Sequence, residues 1–364
     1  MTLNNTKTST PVWTILAPLV ALALAGVAIS QHDAGAAPWL VILSVPVLFA
    51  AVFAAVHHAE TVAHRVGQPF GSILLALAVT LIEVSLIVSL LLSAPAGESA
   101  VARDTVFAAI MIVLNGILGV SLLIGGIRHH RQKMQPQSAT AALGVLATLA
   151  ILALVLPNFT LAVPGPVYAP AQLIFVTVVS LALYGFFLYS QTVSHREDYA
   201  EPDDADRCHT VVDRRAFGLA LVLLPLALVA VVLMAETLAD PVAVGIARAG
   251  LPEALVGVAI AMVVLMPEGV ASLRAARENR LQTSMNLALG SALASLCLTI
   301  PTVAMISVVM GQNLILGLAA EHIVLLLLSL FMATLTLATG RTTSLQGGIH
   351  LVIFGAFLTL SAIP

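Results

Sequence analysis

Two glutamates, Glu83 and Glu268, lie deep inside apolar segments of this chain. A carboxylate near the middle of a membrane costs roughly 2.5 kcal/mol or more on insertion scales, so its presence there indicates a functional site. Carboxylates are also ligands that hard cations prefer. The pair therefore predicts one shared cation site. The other acids within or beside the spans fall near predicted helix ends: Glu60, Glu236, Glu253 and Glu321.

The composition indicates a membrane protein. Of the 364 residues, 60% are hydrophobic and 9% are charged, a balance that soluble domains do not show. Segments long enough to span a bilayer are predicted at about 12–30, 38–57, 71–93, 104–127, 139–163, 170–191, 215–236, 251–273, 284–310, 321–339 and 346–363. We therefore predict an all-α polytopic membrane protein with about 11 transmembrane helices. No basic face indicates nucleic acid as a partner.

The basic residues predict how the chain is oriented. With the N-terminus in the cytoplasm, Arg103 and Arg248 are the only Lys or Arg residues in segments on the outer side. Cytoplasmic loops carry such an excess of Lys and Arg. We expect a multi-pass protein of the cell inner (plasma) membrane, with its C-terminus outside.

The helices that carry the two glutamates predict an inverted repeat. Glu83 lies in the third predicted helix and Glu268 in the eighth, so the two helices cross the membrane in opposite directions. The helices that follow them share a spacing, seen in Met111, Gly116 and Ser121 and again in Met285, Gly290 and Ser295. Secondary transporters are built from such repeats, with a site at the bilayer midplane. The predicted domains are an N-terminal helix (1–37), a first five-helix repeat (38–193), an acidic cytoplasmic loop (194–214) and a second five-helix repeat (215–364).

Polar side chains near the glutamates are candidate ligands. A hydroxyl, an amide and further hydroxyls fall at the expected depth, on Thr80, Asn115, Ser121, Ser291 and Ser295. Hard cations accept oxygen ligands of these kinds. The alternative is that they only help the helices to pack, as small and polar residues do in membranes.

Pro267 comes directly before Glu268. A proline inside a helix removes a backbone donor and kinks the helix, here freeing the carbonyl of Val263. We expect a break beside the second carboxylate, which would either offer backbone oxygen to a cation or be a simple kink.

Two features at the predicted cytoplasmic side have open roles. His57, His58 and His64 could sense cytoplasmic pH, because histidine titrates near neutrality, or could form a solvated helix end. The loop at 194–214 is rich in acids and is either a collector of cations or a flexible linker.

Two longer stretches resemble a known family. They are Val56–Gly71, which leads into Thr80–Val84, and Pro267–Ser291. Both are similar to segments of the ChaA-type cation/proton antiporters, which belong to the calcium:cation antiporter superfamily. The resemblance covers the whole chain.

The resemblance implies an antiporter that exports Ca²⁺, with Na⁺ or K⁺ as further substrates, in exchange for H⁺. Protons and cation would compete for two essential glutamates that fall on Glu83 and Glu268. The Gly-Ser pair of the second repeat falls on Gly290 and Ser291. Where many relatives have Asn or Asp this chain has Ser295, so exchange of monovalent cations alone stays open. No cofactor is expected, and the partners are inorganic cations, protons and the bilayer, with a homo-oligomer as an open possibility.

Two functions of other classes are alternatives. A membrane metalloenzyme would need several histidine clusters, whereas His57, Glu60 and His64 form a single helical face. A cation channel does not need paired titratable carboxylates at mid-membrane. We therefore expect a transporter and not an enzyme.

Overall fold

The structure, a computed structural model, is almost entirely helical where it describes the chain. It describes residues 11–30, 38–66, 77–78, 80–85, 87–88, 100–199, 213–252, 254–310 and 314–363. The helices with defined bounds are α1 (Val12–Ser30), α2 (Pro38–Val66), α3 (Val101–Met111), α4 (Leu118–His129), α5 (Pro136–Ala150), α6 (Pro170–Tyr189), α7 (Arg196–Tyr199), α8 (Arg214–Arg248), α9 (Ala254–Val264), α10 (Met266–Arg277), α11 (Leu281–Met310), α12 (Ala320–Leu337) and α13 (Ser344–Ala362). Residues around Glu83 are helical as well.

The predicted all-α polytopic class is confirmed. Among the described residues, nine helices are long and apolar enough to cross a membrane, and the bent pair Leu255–Val264 and Met266–Arg277 makes a tenth span. The prediction was about 11 helices. The difference is the span predicted at 71–93, which is helical at the described residues between 77 and 88 and otherwise falls outside the described part of the chain.

Two helices extend further than predicted. α2 continues from residue 57 to Val66, and α8 continues from residue 236 to Arg248. Pro241 lies inside α8 and does not end it. Glu236 was expected at a helix end and lies instead within this long helix, with its side chain exposed. That placement was wrong because hydropathy falls before the helical backbone ends.

The chain divides into two compact units, each formed from two stretches of the sequence. Unit 1 contains residues 1–89 and 203–249, with α1, α2, the segment around Glu83 and α8. Unit 2 contains residues 90–202 and 250–364, with the remaining helices. The domain boundaries given above concern repeats along the sequence, and they stay a prediction.

In unit 1, α1, α2 and α8 pack against one another. α1 contains Pro18, which has no N–H to offer the carbonyl of Thr14 four residues earlier. His58 of α2 supplies the missing donor, since its Nε2 lies 2.9 Å from that carbonyl oxygen. The proline therefore creates an acceptor that attaches α1 to α2.

In unit 2, α4 and α13 pack so closely that their backbones are in contact. A Cβ added at Gly347 would overlap the Leu123 nitrogen and the Gly119 oxygen, so only glycine fits there. Strands β1 (Gln132–Lys133) and β2 (Arg341–Thr342) pair antiparallel just beyond α4 and just before α13. This close packing brings side chains on α13 within reach of the span formed by α3 and α4.

That span is interrupted by a π-turn. α3 ends at Met111, residues Ile112–Ile117 form the π-turn, and α4 begins at Leu118. The turn contains Asn115 and is buried over Ile112–Gly116. Such turns inside α-helices are frequent at functional sites.

Candidate functional site

Glu268 lies in the first turn of α10, immediately after a break. α9 ends at Val264, α10 begins at Met266, and the two helix axes differ by 54°. The break expected from Pro267 is therefore present. Both carboxylate oxygens of Glu268 are removed from solvent. The start of a helix carries a partial positive charge that stabilises a nearby carboxylate, so the break lowers the cost of burying this charge.

A cluster of three serines begins one turn beyond Glu268 in unit 2. Ser272 of α10 is fully buried, and its Oγ lies 3.2 Å from Ser121 Oγ and 2.7 Å from Ser284 Oγ. The Ser272 hydroxyl also donates to the backbone oxygen of Ser284 at 3.1 Å. The structure thus brings the predicted Ser121 next to α10, at the turn that follows the carboxylate.

Ser272 was missed in the sequence. Its signal was its spacing, because a residue four positions after Glu268 lies on the same face of the helix. The three hydroxyls form a polar patch within an apolar unit, and each of them has a hydrogen-bond partner in the cluster, with Ser272 in the middle. The cluster can position α10 against α4 and α11.

α11 carries the remaining candidates of the second repeat. Ser295 is buried, and Ser291 is half-buried. Gly290 leaves open space, since a Cβ built on it would have no neighbour within 4 Å. α10 and α11 pack against each other. The Gly290–Ser291 pair is therefore half-buried, with open space beside Gly290.

Asn115 is fully buried in the π-turn and has partners on two other helices. Its amide Nδ2 donates to Ser329 Oγ of α12 at 2.8 Å. Its Oδ1 lies 3.1 Å from Nδ1 of His350 on α13. These bonds connect Asn115 to neighbouring helices, as the predicted packing role requires, and its role as a cation ligand stays a prediction.

In unit 1, Glu83 and Thr80 are both buried. Their exposed fractions are 4% and 3%, and their spacing puts them on one face of a helix. The hydroxyl of Thr80 can therefore act as a ligand beside the carboxylate of Glu83. The predicted common site of Glu83 and Glu268 stays a prediction, because each glutamate belongs to a different unit.

His57 and His58 of α2 are not at a fully solvated helix end. His58 is fully buried, and its ring contacts the ring of His57, with centroids 5.7 Å apart. His57 also lies near Trp13 of α1, at 6.5 Å. The side chain of His64 lies outside the described residues. Their role in sensing pH stays a prediction.

The start of the acidic loop is attached to unit 2. Asn286 Nδ2 of α11 donates to the Tyr199 carbonyl at 2.7 Å, and Gln282 Nε2 donates to the Asp198 carbonyl at 3.4 Å. Burial, and then the charge of Asp198, raise the pKa of the Tyr199 hydroxyl. The acids from Glu201 to Asp206 lie outside the described residues.

Comparison with known proteins gives the family. The sequence pattern described as "Sodium/calcium exchanger protein" matches residues 36–193 and again 219–363. The chain belongs to this family. The two matches together cover most of the chain, and each contains one of the two buried glutamates.

Two relatives extend over most of the exchanger chain. It is 51% identical over 355 residues to y4hA of Sinorhizobium fredii (strain NBRC 101917 / NGR234), which is named an ionic transporter, with 97% of both chains covered. It is 34% identical over 316 residues to the sodium-potassium/proton antiporter ChaA of Escherichia coli (strain K12), with 85% of both chains covered. The resemblance to ChaA-type antiporters and the expectation of a transporter rather than an enzyme are both confirmed.

Two solved structures share the fold of this exchanger. Native YfkE superposes with a TM-score of 0.72 and covers 96% of this chain and 100% of its own, at 16% identity. The H⁺/Ca²⁺ exchanger CAX superposes with a TM-score of 0.70 and covers 96% of this chain and 90% of its own, also at 16% identity. At these identities the likeness establishes the fold.

Proposed function

We propose that this exchanger is a secondary antiporter that exports Ca²⁺ in return for H⁺, and that cation and protons compete for Glu83 and Glu268. One observation carries the proposal: each family match contains a carboxylate buried within apolar helix. Glu83 is 4% exposed, and both oxygens of Glu268 are enclosed. Buried carboxylates in membrane helices mark ion and proton pathways.

The chemistry follows from the cost of burying charge. An ionised carboxylate in an apolar setting needs a proton or a cation to neutralise it. A carboxylate cannot bind a proton and a cation tightly at the same time. Binding of the cation therefore displaces the proton, and binding of the proton displaces the cation. If the carboxylates become accessible from one side of the membrane at a time, this competition couples the two ion gradients.

A second candidate is exchange of monovalent cations alone. The Escherichia coli relative is named a sodium-potassium/proton antiporter and is 34% identical to this chain. Ser295 also offers one neutral hydroxyl oxygen where many relatives have Asn or Asp, and Ca²⁺ usually takes roughly six to eight oxygen ligands, among them charged carboxylates. These points support Na⁺ or K⁺ as substrate.

The orientation is part of the proposal. An N-terminus in the cytoplasm and a C-terminus outside are supported by the Lys and Arg residues of the loops. We also propose the inner (plasma) membrane as the location of the protein.

Proton flux in everted membrane vesicles tests the proposal. A pH-sensitive dye follows the acidified lumen while Ca²⁺, Na⁺ and K⁺ are added one at a time, and vesicles without the protein provide the background. We expect Ca²⁺ to release lumenal protons. A response to Na⁺ or K⁺ with none to Ca²⁺ would establish the second candidate, and no response to any of the three would contradict cation/proton exchange.

A further inference from the structure

His350 lies within α13 and is fully buried. Each ring nitrogen of its imidazole has a side-chain partner, and the ring also forms a hydrogen bond with the backbone of Leu114 in the π-turn. Nδ1 lies 3.1 Å from Asn115 Oδ1 in the π-turn, and Nε2 lies 3.2 Å from Thr336 Oγ1 of α12. One side chain thus connects three segments of unit 2 that are far apart in the sequence.

The hydrogens of this network can be assigned from the donors. Asn115 Nδ2 donates to Ser329 Oγ, and Ser329 in turn donates to the Leu325 carbonyl at 2.7 Å. Asn115 Oδ1 can only accept, so His350 Nδ1 carries the hydrogen. Nε2 of a neutral ring then accepts from Thr336. A neutral imidazole therefore provides the donor at Nδ1 and the acceptor at Nε2 that the network requires.

The network holds the π-turn that faces α10. Ile117 is the last residue of that turn, and its side chain lies 3.4 Å from the position of a Cβ on Gly269. Gly269 directly follows Glu268. A shift of the turn would therefore be transmitted to the first turn of α10, which carries the carboxylate.

We propose that His350 is a positioning residue for exchange. It fixes the carboxamide of Asn115, and through it the π-turn Ile112–Ile117, so that the turn supports α10 at Glu268. This inference rests on the proposed function, because it assumes that Glu268 takes part in exchange. It also gives Asn115 a role as part of the support for the carboxylate rather than as a cation ligand.

Two substitutions separate the two ring nitrogens. His350→Asn places an amide nitrogen near the position of Nδ1 and can still donate to Asn115. His350→Gln places its amide near the position of Nε2, so it keeps the bond with Thr336 and loses the one with Asn115. The control is Thr336→Val, which removes the bond to Nε2 and leaves the bond to Asn115 intact.

The measurement is cation-driven proton flux in proteoliposomes, with equal amounts of protein that elutes as a folded species. We expect His350→Gln to raise the half-saturating cation concentration about tenfold, as loss of support for a metal ligand commonly does. We expect His350→Asn and Thr336→Val to stay close to the unmodified protein. A purely structural role would lower the yield of folded protein and leave the half-saturating concentration unchanged.

Two results would overturn the proposal. One is an unchanged half-saturating concentration in His350→Gln, and the other is an equal rise in His350→Gln and His350→Asn. If His350→Gln does not fold, Ser329→Ala replaces it, because this small change removes the acceptor of the Asn115 amide. We then expect a smaller rise in the same direction, and no rise would overturn the proposal. Failure of the proposed function is distinct, since Glu268→Gln would then retain exchange.

Discussion

The two glutamates are buried in two different ways. Glu83 lies within helical residues 80–85 of unit 1, one turn after Thr80. Glu268 lies in unit 2 at the start of a helix, after a 54° break. The interior of a helix uses its own backbone groups, whereas the first turn leaves N–H groups for other partners. The start of a helix is therefore available to Glu268, whereas the described residues 80–85 around Glu83 are all helical.

The largest expected effect concerns the carboxylates themselves. We expect Glu83→Gln and Glu268→Gln each to abolish exchange, because glutamine keeps the shape but carries neither the proton nor the charge. Proton flux in vesicles, normalised to inserted protein, checks this. Glu236→Gln, at an exposed glutamate within α8, is the matched control and should retain exchange. Substantial flux in either of the first two variants would show that the glutamate changed in it is not needed for exchange.

The break in the second half gives the next effect. Pro267→Ala returns a backbone donor and lets α9 and α10 straighten, so we expect exchange to fall roughly tenfold, as for other losses of support around a ligand. Pro225→Ala, inside the continuous α8, should change exchange little. Equal rates in the two proline variants would mean that the break is not needed for Glu268 to act.

The open space beside Gly290 on α11 is tested by Gly290→Ala. A Cβ at this position meets nothing within 4 Å, and alanine favours a helix by about 0.5–1 kcal/mol over glycine. We expect thermal stability to be kept or raised while exchange falls several-fold, because the methyl group occupies open space beside Ser291. Gly185→Ala on α6, which is also uncrowded, is the control. Full exchange in Gly290→Ala would mean that this space is not used by the cation.

The smallest expected effect belongs to the acidic loop. Neutralising its carboxylates should raise the apparent KM for the cation and leave the maximal rate intact, because a local negative field concentrates cations. The residues to change are Glu197, Asp198, Glu201, Asp203, Asp204 and Asp206. The KM is measured at low and at high ionic strength, since salt screens such a field. An unchanged KM at low ionic strength would identify the loop as a linker.

The class of the protein and the burial of its two carboxylates in apolar segments could be predicted because hydropathy and isolated charges are local properties of the sequence. The end of α8 could not, since Pro241 is accommodated inside a helix that continues to Arg248. His350 was overlooked for another reason. Its partner Asn115 lies 235 positions away in the sequence, and the pairing depends on how α4 and α13 pack.

In the proposed mechanism, protons and the cation compete for the same two carboxylates. The direct test is to add the transported cation to purified protein in weakly buffered detergent solution and to record proton release with a pH dye. We expect the unmodified protein and Glu236→Gln to release protons to the same extent, and Glu83→Gln and Glu268→Gln each to release fewer. Undiminished release from both glutamine variants would show that the protons come from other groups, and it would contradict the account.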